Sequence, residues 1–357
     1  MKIEDFNRKV EYWNAFWQKE VIDRPLICVT APKSGVEYHP HIQTDNISAM
    51  ACMNEDYDSF FESVKRNVRS TYYGGEAIPY VNLTLGPDQY AGYLGAKITM
   101  GEGMDTTWVH SIVNDWDEFD VKIHKEDESY FNKMKKFLSY AAKAADGEFA
   151  AGMLDLHSNM DALSALRGPQ DLCFDLYDYP EKVHRILNDV RKTYSEVFEM
   201  AYNAGNMKET GSIGWAPTYA PKGKFAVIQC DFSCLISPDQ VREFVIPAIE
   251  EEAAFLDYNV YHYDGKDALG HLDDILAIKD IDVIQWVPGD GQPRSIEWMD
   301  LLKKIQRAGK GLWIYDWTCE EILEHFKELR PEGLVFSVGA SSEDEAKKLL
   351  ENVARKM

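Results

Sequence analysis

The sequence predicts an α/β protein: a (β/α)8 TIM barrel with an N-terminal helical extension and long loops over the face where the strands end, built as one domain over residues 1–357. Three observations lead there. In the C-terminal half, short β-rich runs alternate with capped amphipathic helices at spacings of about 20 to 28 residues, the rhythm of a βα repeat. The 357 residues are 45% hydrophobic, enough for one large core. The runs also finish in polar residues, as strands do where a barrel places its chemistry.

Taken in order, the opening segment MKIEDFNRKVEYWNAFWQKE carries charges every few residues, with no apolar run of signal or membrane-spanning length. Candidate strands follow at 25–30, 79–84 and 149–154. Between Gly86 and Trp116 no period is sustained and Gly, Thr and aromatics are frequent, so a long excursion over the barrel mouth is expected. Pro180 to Ala204 places Val183, Ile186, Leu187, Val190, Tyr194, Val197 and Phe198 on one helical face and stops at Gly205. Runs at 212–215 and 226–231 come next. Ser237, Pro238 and Gln240 then combine an N-cap, a first-turn proline and a capping-box partner, ahead of a stripe of Val241, Phe244, Val245, Ala248 and Ile249 that Pro247 should kink.

The last four βα units are the clearest. A strand at 259–264 precedes a helix from about 268 to 278, with Leu269, Leu272, Ile275 and Leu276 in its apolar stripe. A strand at 281–286 is followed by a helix with Ser295 as N-cap, an apolar face of Trp298, Leu301, Leu302 and Ile305, and Gly309 as its end. The strand at 311–316 leads into a Thr318/Glu321 capping box, and the strand at 334–338 into a Ser342/Glu345 one. Nine candidate strands compete for eight places, so one piece within 212–231 is expected to be an extension or loop of its neighbour.

A formal net charge of −22 repels phosphate backbones, and no basic stripe offsets it, so nucleic acid is excluded as a partner. The six cysteines are scattered and form no CxxC pair, which fits reduced thiols in a cytoplasmic protein without a membrane segment. Cys230 and Cys234 are expected to be buried and inert.

The chemistry is expected at the run ends. His262 and Asp264 stand two apart on a strand and therefore point to one side, which makes a shared metal or an acid/base pair geometrically possible. The structural alternative is a His–Asp hydrogen bond that closes the strand. Asp231 and Asp316 end two other runs, as metal ligands, general acids or partners of substrate hydroxyls; each equally suits a helix N-cap. His157, Trp215, Gln229, Gln285, Trp286, Tyr315 and Trp317 stand at or just beyond run ends and are assigned to substrate contact, the tryptophans either stacking on a ligand or packing under a lid.

Several local runs carry a family likeness that spans the chain. They are Asp23-Arg24-Pro25, Gly86-Pro87 with Leu94-Gly95-Ala96, Leu166-Arg167-Gly168-Pro169 with Tyr179-Pro180-Glu181, Ile236-Ser237-Pro238 leading to Phe244-Val245-Ile246-Pro247, and His262 to Gly265. The chain resembles the uroporphyrinogen decarboxylase superfamily with its corrinoid-linked methyltransferase branch. That likeness implies a barrel, a methyltransferase acting with a separate corrinoid protein, and zinc held by a histidine and two cysteines. Here His262 matches, Asp264 stands for the first cysteine, and Val338-Gly339-Ala340 offers no second thiol. Zinc accepts His and Asp ligands, with Asp231 or Asp316 to complete the set. The Arg-rich N-terminal segment expected of a true uroporphyrinogen decarboxylase is absent, since Trp17 to Gly35 contains only Arg24. Two other functions stay open: a barrel for a polyhydroxylated, sugar-like molecule using Asp acid/base groups and Trp stacking, and a small-acid decarboxylase with Arg167 or Arg294 as carboxylate anchor. The expected partners are a small-molecule substrate, the corrinoid protein and a second copy of the chain.

Overall fold

Runs dense in Val, Ile and aromatic residues fit a pleated surface, and in the computed structural model, which describes residues 1–40, 44–100 and 106–357, they build a mixed α/β fold around a mostly parallel sheet. The strands are β1 (Leu26–Pro32), β2 (Thr71–Gly75), β3 (Tyr80–Val81), β4 (Lys97–Met100), β5 (Thr107–His110), β6 (Ala150–Ala151), β7 (Ser212–Ile213), β8 (Tyr219–Ala220), β9 (Phe225–Gln229), β10 (Tyr258–Asp264), β11 (Val283–Val287), β12 (Gly311–Ile314) and β13 (Leu334–Gly339). The central sheet has seven strands in the order β2-β1-β13-β12-β11-β10-β9, all parallel except β2.

The βα rhythm of the C-terminal half is therefore present, and β9 to β13 lie side by side in chain order. The first half differs from expectation. Runs 79–84 and 149–154 shrink to the two-residue parallel pair β3/β6, extended by a single bridge from Met153 to Gly214. The piece at 212–215 turns back as an antiparallel hairpin with β8 ahead of β9. Thr71–Gly75 was not anticipated as a strand, yet it takes the edge beside β1. Among the described residues, backbone pairing of the sheet stops at β2 on one side and β9 on the other.

Alternation along the parallel strands separates two apolar faces. Leu26, Cys28, Phe225, Val227, Val260, Val283, Trp313 and Val335 form one inner cluster together with Ala150 and Ile213. Ile27, Val29, Tyr261, Tyr263, Ile284, Trp286, Leu312 and Phe336 face the helices. The N-terminal helix Phe6–Trp17 joins the inner cluster through Trp13, Phe16 and Trp17, with Trp17 stacked on Tyr258 at a strand start. It thus closes the end of the sheet opposite the polar strand ends. Each buried aromatic there contributes about 1.5–3 kcal/mol. Arg24 pairs with Glu76 through two 2.8 Å contacts in the same buried region, a structural role.

The helix Pro180–Ala204 matches its predicted span and buries its predicted face. Near Pro247 the backbone forms a π-turn over Val241–Val245 before the helix Ile246–Phe255, since proline has no N–H to continue the ladder. The excursion is packed rather than loose: its helix Gln89–Tyr93 buries Tyr90 and Tyr93 completely, and β4 pairs with β5. Residues 101–105 of that stretch, and His41, lie outside the described residues. No helix among the described residues is long and apolar enough to cross a membrane.

Candidate active site

All parallel strands end on one rim, and the rim carries the polar residues. His262 and Asp264 occupy β10 with Val260 on its inner face, while Tyr261 and Tyr263 between them face outward, as the two-residue alternation requires. The short helical turn after β9 brings Asp231 to the same place. One ligand atom each from Asp231, His262 and Asp264 lies within 4.8 Å of the others. The Asp231 side chain is 42% exposed and that of His262 14%, so the group opens to solvent.

His262 is held from behind. Its Nδ1 lies 2.6 Å from Gln285 Oε1 on the adjacent β11, paired in register. With an amide oxygen as acceptor, Nδ1 carries the proton and Nε2 presents its lone pair outward. Nε2 stands 3.9 Å from Asp231 Oδ1. That is too long for a hydrogen bond, but two metal bonds of about 2.0–2.2 Å span it. The Trp215 ring meets the imidazole edge-on, with centroids 5.1 Å apart. Asp264 Oδ1 is buried and has no hydrogen-bond partner. Burial raises the Asp264 pKa, and the neighbouring Asp231 carboxylate adds to the rise.

A second layer surrounds these three. Asp155 Oδ1 accepts from Trp215 Nε1 at 3.0 Å and from Gln229 Nε2 at 2.9 Å, and its Oδ2 lies 3.2 Å from His157 Nε2. On its other side His157 Nδ1 is 3.6 Å from Asp161 and 3.9 Å from Asp231. Burial disfavours the imidazolium, but Asp155, Asp161 and Asp231 overcome it and raise His157 to about 10. Burial likewise pushes Asp155 up, and the His157 charge and hydrogen bond bring it below the usual carboxylate range. Asp161 is raised, by burial first and then by Asp231, while its oxygens accept the backbone N–H groups of Asp231 and Phe232 at 3.0 and 2.8 Å and so fix the turn that carries Asp231. Gln229 is 1% exposed, and its Oε1 is unpartnered. A cavity of about 330 Å³ adjoins this layer, between the ends of β1, β13 and β12 and the Tyr80 ring; the Tyr80 hydroxyl donates to the Trp215 carbonyl at 3.3 Å.

The structure brings together His262, Asp264, Asp231, Gln285, Gln229, Trp215 and His157, with Tyr315 at the cavity. It does not do so for the rest. Asp316 accepts from the backbone N–H of Ser295 at 2.8 Å and from the Ser295 hydroxyl, which makes it the cap of the helical turn Ser295–Trp298, one strand earlier in the chain, rather than of the helix that follows it. Ser295, taken as an N-cap, is itself capped by that carboxylate. Trp286 is 2% exposed and packs outward against Tyr263 and Trp298; Trp317 is buried against Phe336 and donates to Ser295 Oγ. Neither ring can stack on a ligand at the rim. Arg167 is bound by Asp175 and two backbone carbonyls, and Arg294 by Glu321, so neither is free as a carboxylate anchor. Cys230 is buried as expected, but Cys234 is exposed. Asp161 was missed; its signal was the four-residue spacing from His157 at a helix start. Trp313, buried on the inner face and 6.0 Å from Trp215, was missed as well.

No protein-family model matches the sequence, and no curated protein matches it. Among solved structures, the chain superposes on a methyltransferase from Methanosarcina mazei with a TM-score of 0.61 over 98% of both chains, at 13% sequence identity. At that identity the likeness establishes the shared fold.

Proposed function

We propose that the protein is a methyltransferase of (β/α)8-barrel architecture, of the uroporphyrinogen decarboxylase type, with a zinc site at Asp231, His262 and Asp264 and a corrinoid supplied by a separate protein. The observation that carries this reading is the convergence of one imidazole nitrogen and two carboxylate oxygens within 4.8 Å at an open rim. The superposition on the Methanosarcina protein supports the fold and makes methyl transfer the reaction to test.

The donor set fits the ion. Zinc takes His and Asp ligands, and the unpartnered Asp264 Oδ1 is a buried acceptor that otherwise lacks a donor. When bound with three protein ligands and an open position, zinc acts as a Lewis acid that lowers the pKa of the group it takes in that position. The chain's own residues do the rest. Gln285 keeps the proton on His262 Nδ1 and the lone pair on Nε2. Asp161 holds the turn that aims Asp231. His157, positively charged among three carboxylates, offsets part of the negative charge that surrounds the ligands. Trp215 shields one side of the imidazole from water.

Chelator-treated protein reloaded with zinc tests the reading, with methylcobalamin as donor and a panel of thiols and amines as acceptors. Methyl transfer should require zinc and fall by orders of magnitude in His262→Ala. The reading is overturned if zinc neither binds nor changes turnover.

A further inference from the structure

We propose that Glu252, which lies outside the ligand cluster, is a positioning residue for it. Its carboxyl and the Asn159 amide tie the start of the helix Asn159–Arg167 to the end of β9 and so set where Asp231 stands. The consequence for zinc rests on the methyltransferase reading, while the tie itself is measured without metal.

The tie is built from buried groups. Glu252 comes from the helix Ile246–Phe255 and is 3% exposed. Its Oε1 accepts from the Ser158 hydroxyl at 2.6 Å and from Asn159 Nδ2 at 3.2 Å. The same Asn159 amide donates to the Gln229 carbonyl at 3.1 Å, and Asn159 Oδ1 accepts the N–H of Met160 at 2.6 Å. Asn159 is fully buried with a φ of 50°, a left-handed conformation that the surrounding hydrogen bonds must hold in place. An apolar side chain at 252 would fill the space without the cost of burying a carboxyl. It could not accept from Ser158 and Asn159.

Both ends of the tie reach the site. Asp161 follows Asn159 by two residues and accepts the N–H groups of Asp231 and Phe232. Gln229, whose carbonyl Asn159 binds, precedes Asp231 by two. Asp231 is thus held from helix and strand through one asparagine, and that asparagine is held by Glu252.

The surroundings set the charge of Glu252. It faces Asp161, Arg191, Tyr90 and Tyr194 and, just after β9, Cys230. Burial pushes the two phenols and the thiol up, so they stay neutral. Arg191 is taken by Glu251 and the Pro247 carbonyl. Burial raises Glu252 itself to about 8. Below that pH it is a neutral acceptor, the form that glutamine copies. Above it, a buried charge without a paired cation lies under the helix start and loosens the tie.

Hydrogen exchange at the amides of Asp231 and Phe232, followed by NMR on metal-free protein, tests this. The amides of β13, separated from β9 by β12, β11 and β10, serve as reference. Glu252→Ala and Asn159→Gly, the latter suited to the left-handed backbone, should each speed exchange at the two amides about ten-fold over the reference. Glu252→Gln should match wild type at pH 6 and exchange more slowly than wild type at pH 9. If Glu252→Ala does not fold, Asn159→Gly decides. Zinc affinity should fall about ten-fold in the fast-exchanging variants. Unchanged exchange in Asn159→Gly, equal acceleration at β13, a Glu252→Gln rate as fast as that of Glu252→Ala, or unaltered zinc affinity despite faster exchange would overturn the proposal. Wild-type protein that takes up no zinc would remove the methyltransferase reading instead, and the exchange rates alone would then judge the tie.

Discussion

At the scale of single residues, the site depends on which side of a strand each residue takes. His262 and Asp264 share a side because they are two apart, and that much was legible in the sequence. Gln285 and Trp286 are consecutive, so only one of them can face inward, and the sequence held no marker for which; the register with His262 decides for Gln285. Trp317 was misjudged for a related reason, because a tryptophan just past a strand end packs as readily under the next helix as over a ligand. The role of Gln285 gives the first prediction. Gln285→Leu removes the acceptor that fixes the His262 tautomer, and zinc affinity should fall about 10- to 100-fold in a competition titration. Trp286→Phe, on the opposite face, should leave that affinity unchanged.

Elements position these residues through their caps and turns. The capping boxes at Ser237/Gln240 and Thr318/Glu321 form as expected, because their side-chain chemistry is local. At Ser342 only half of the box forms, since the Glu345 carboxylate turns to Ser341 instead. The cap that Asp316 gives Ser295 was hidden, because its donor and acceptor are distant in sequence and meet only once β12 is in place. Asp316→Ala should therefore destabilise the protein by about 1 kcal/mol in urea unfolding and leave zinc affinity unaltered. On the helix Ile246–Phe255, burial raises the Glu252 carboxyl to about 8, although Ser158 and Asn159 donate to it. A raised carboxyl contributes stability that is fully present below about pH 4.5 and lost as pH rises through about 8. Glu252→Gln cannot ionise, so its unfolding free energy relative to wild type should rise between pH 6 and pH 9. A constant difference over that range would refute this assignment.

For the whole molecule, the two ends of the sheet have separate duties. The strand starts are closed by Trp13, Phe16 and Trp17, and the strand ends hold the polar cluster. The repeating βα units of the C-terminal half were readable because each one carries its own strand, stripe and cap. In the first half only β1 was as plain, since β2, β3 and β6 are short and gain their pairing from distant partners. Trp13→Ala should cost about 3–5 kcal/mol of stability, yet the folded variant should hold zinc as wild type does, because the helix packs at the far end. On the proposed reading, the rim binds zinc through nitrogen and oxygen alone. X-ray absorption at the zinc edge of the loaded protein tests it most directly. The expected result is a single shell of light atoms at about 2.0–2.2 Å that is lost in His262→Ala, whereas a sulfur shell near about 2.3 Å, or no retained zinc, would contradict the account.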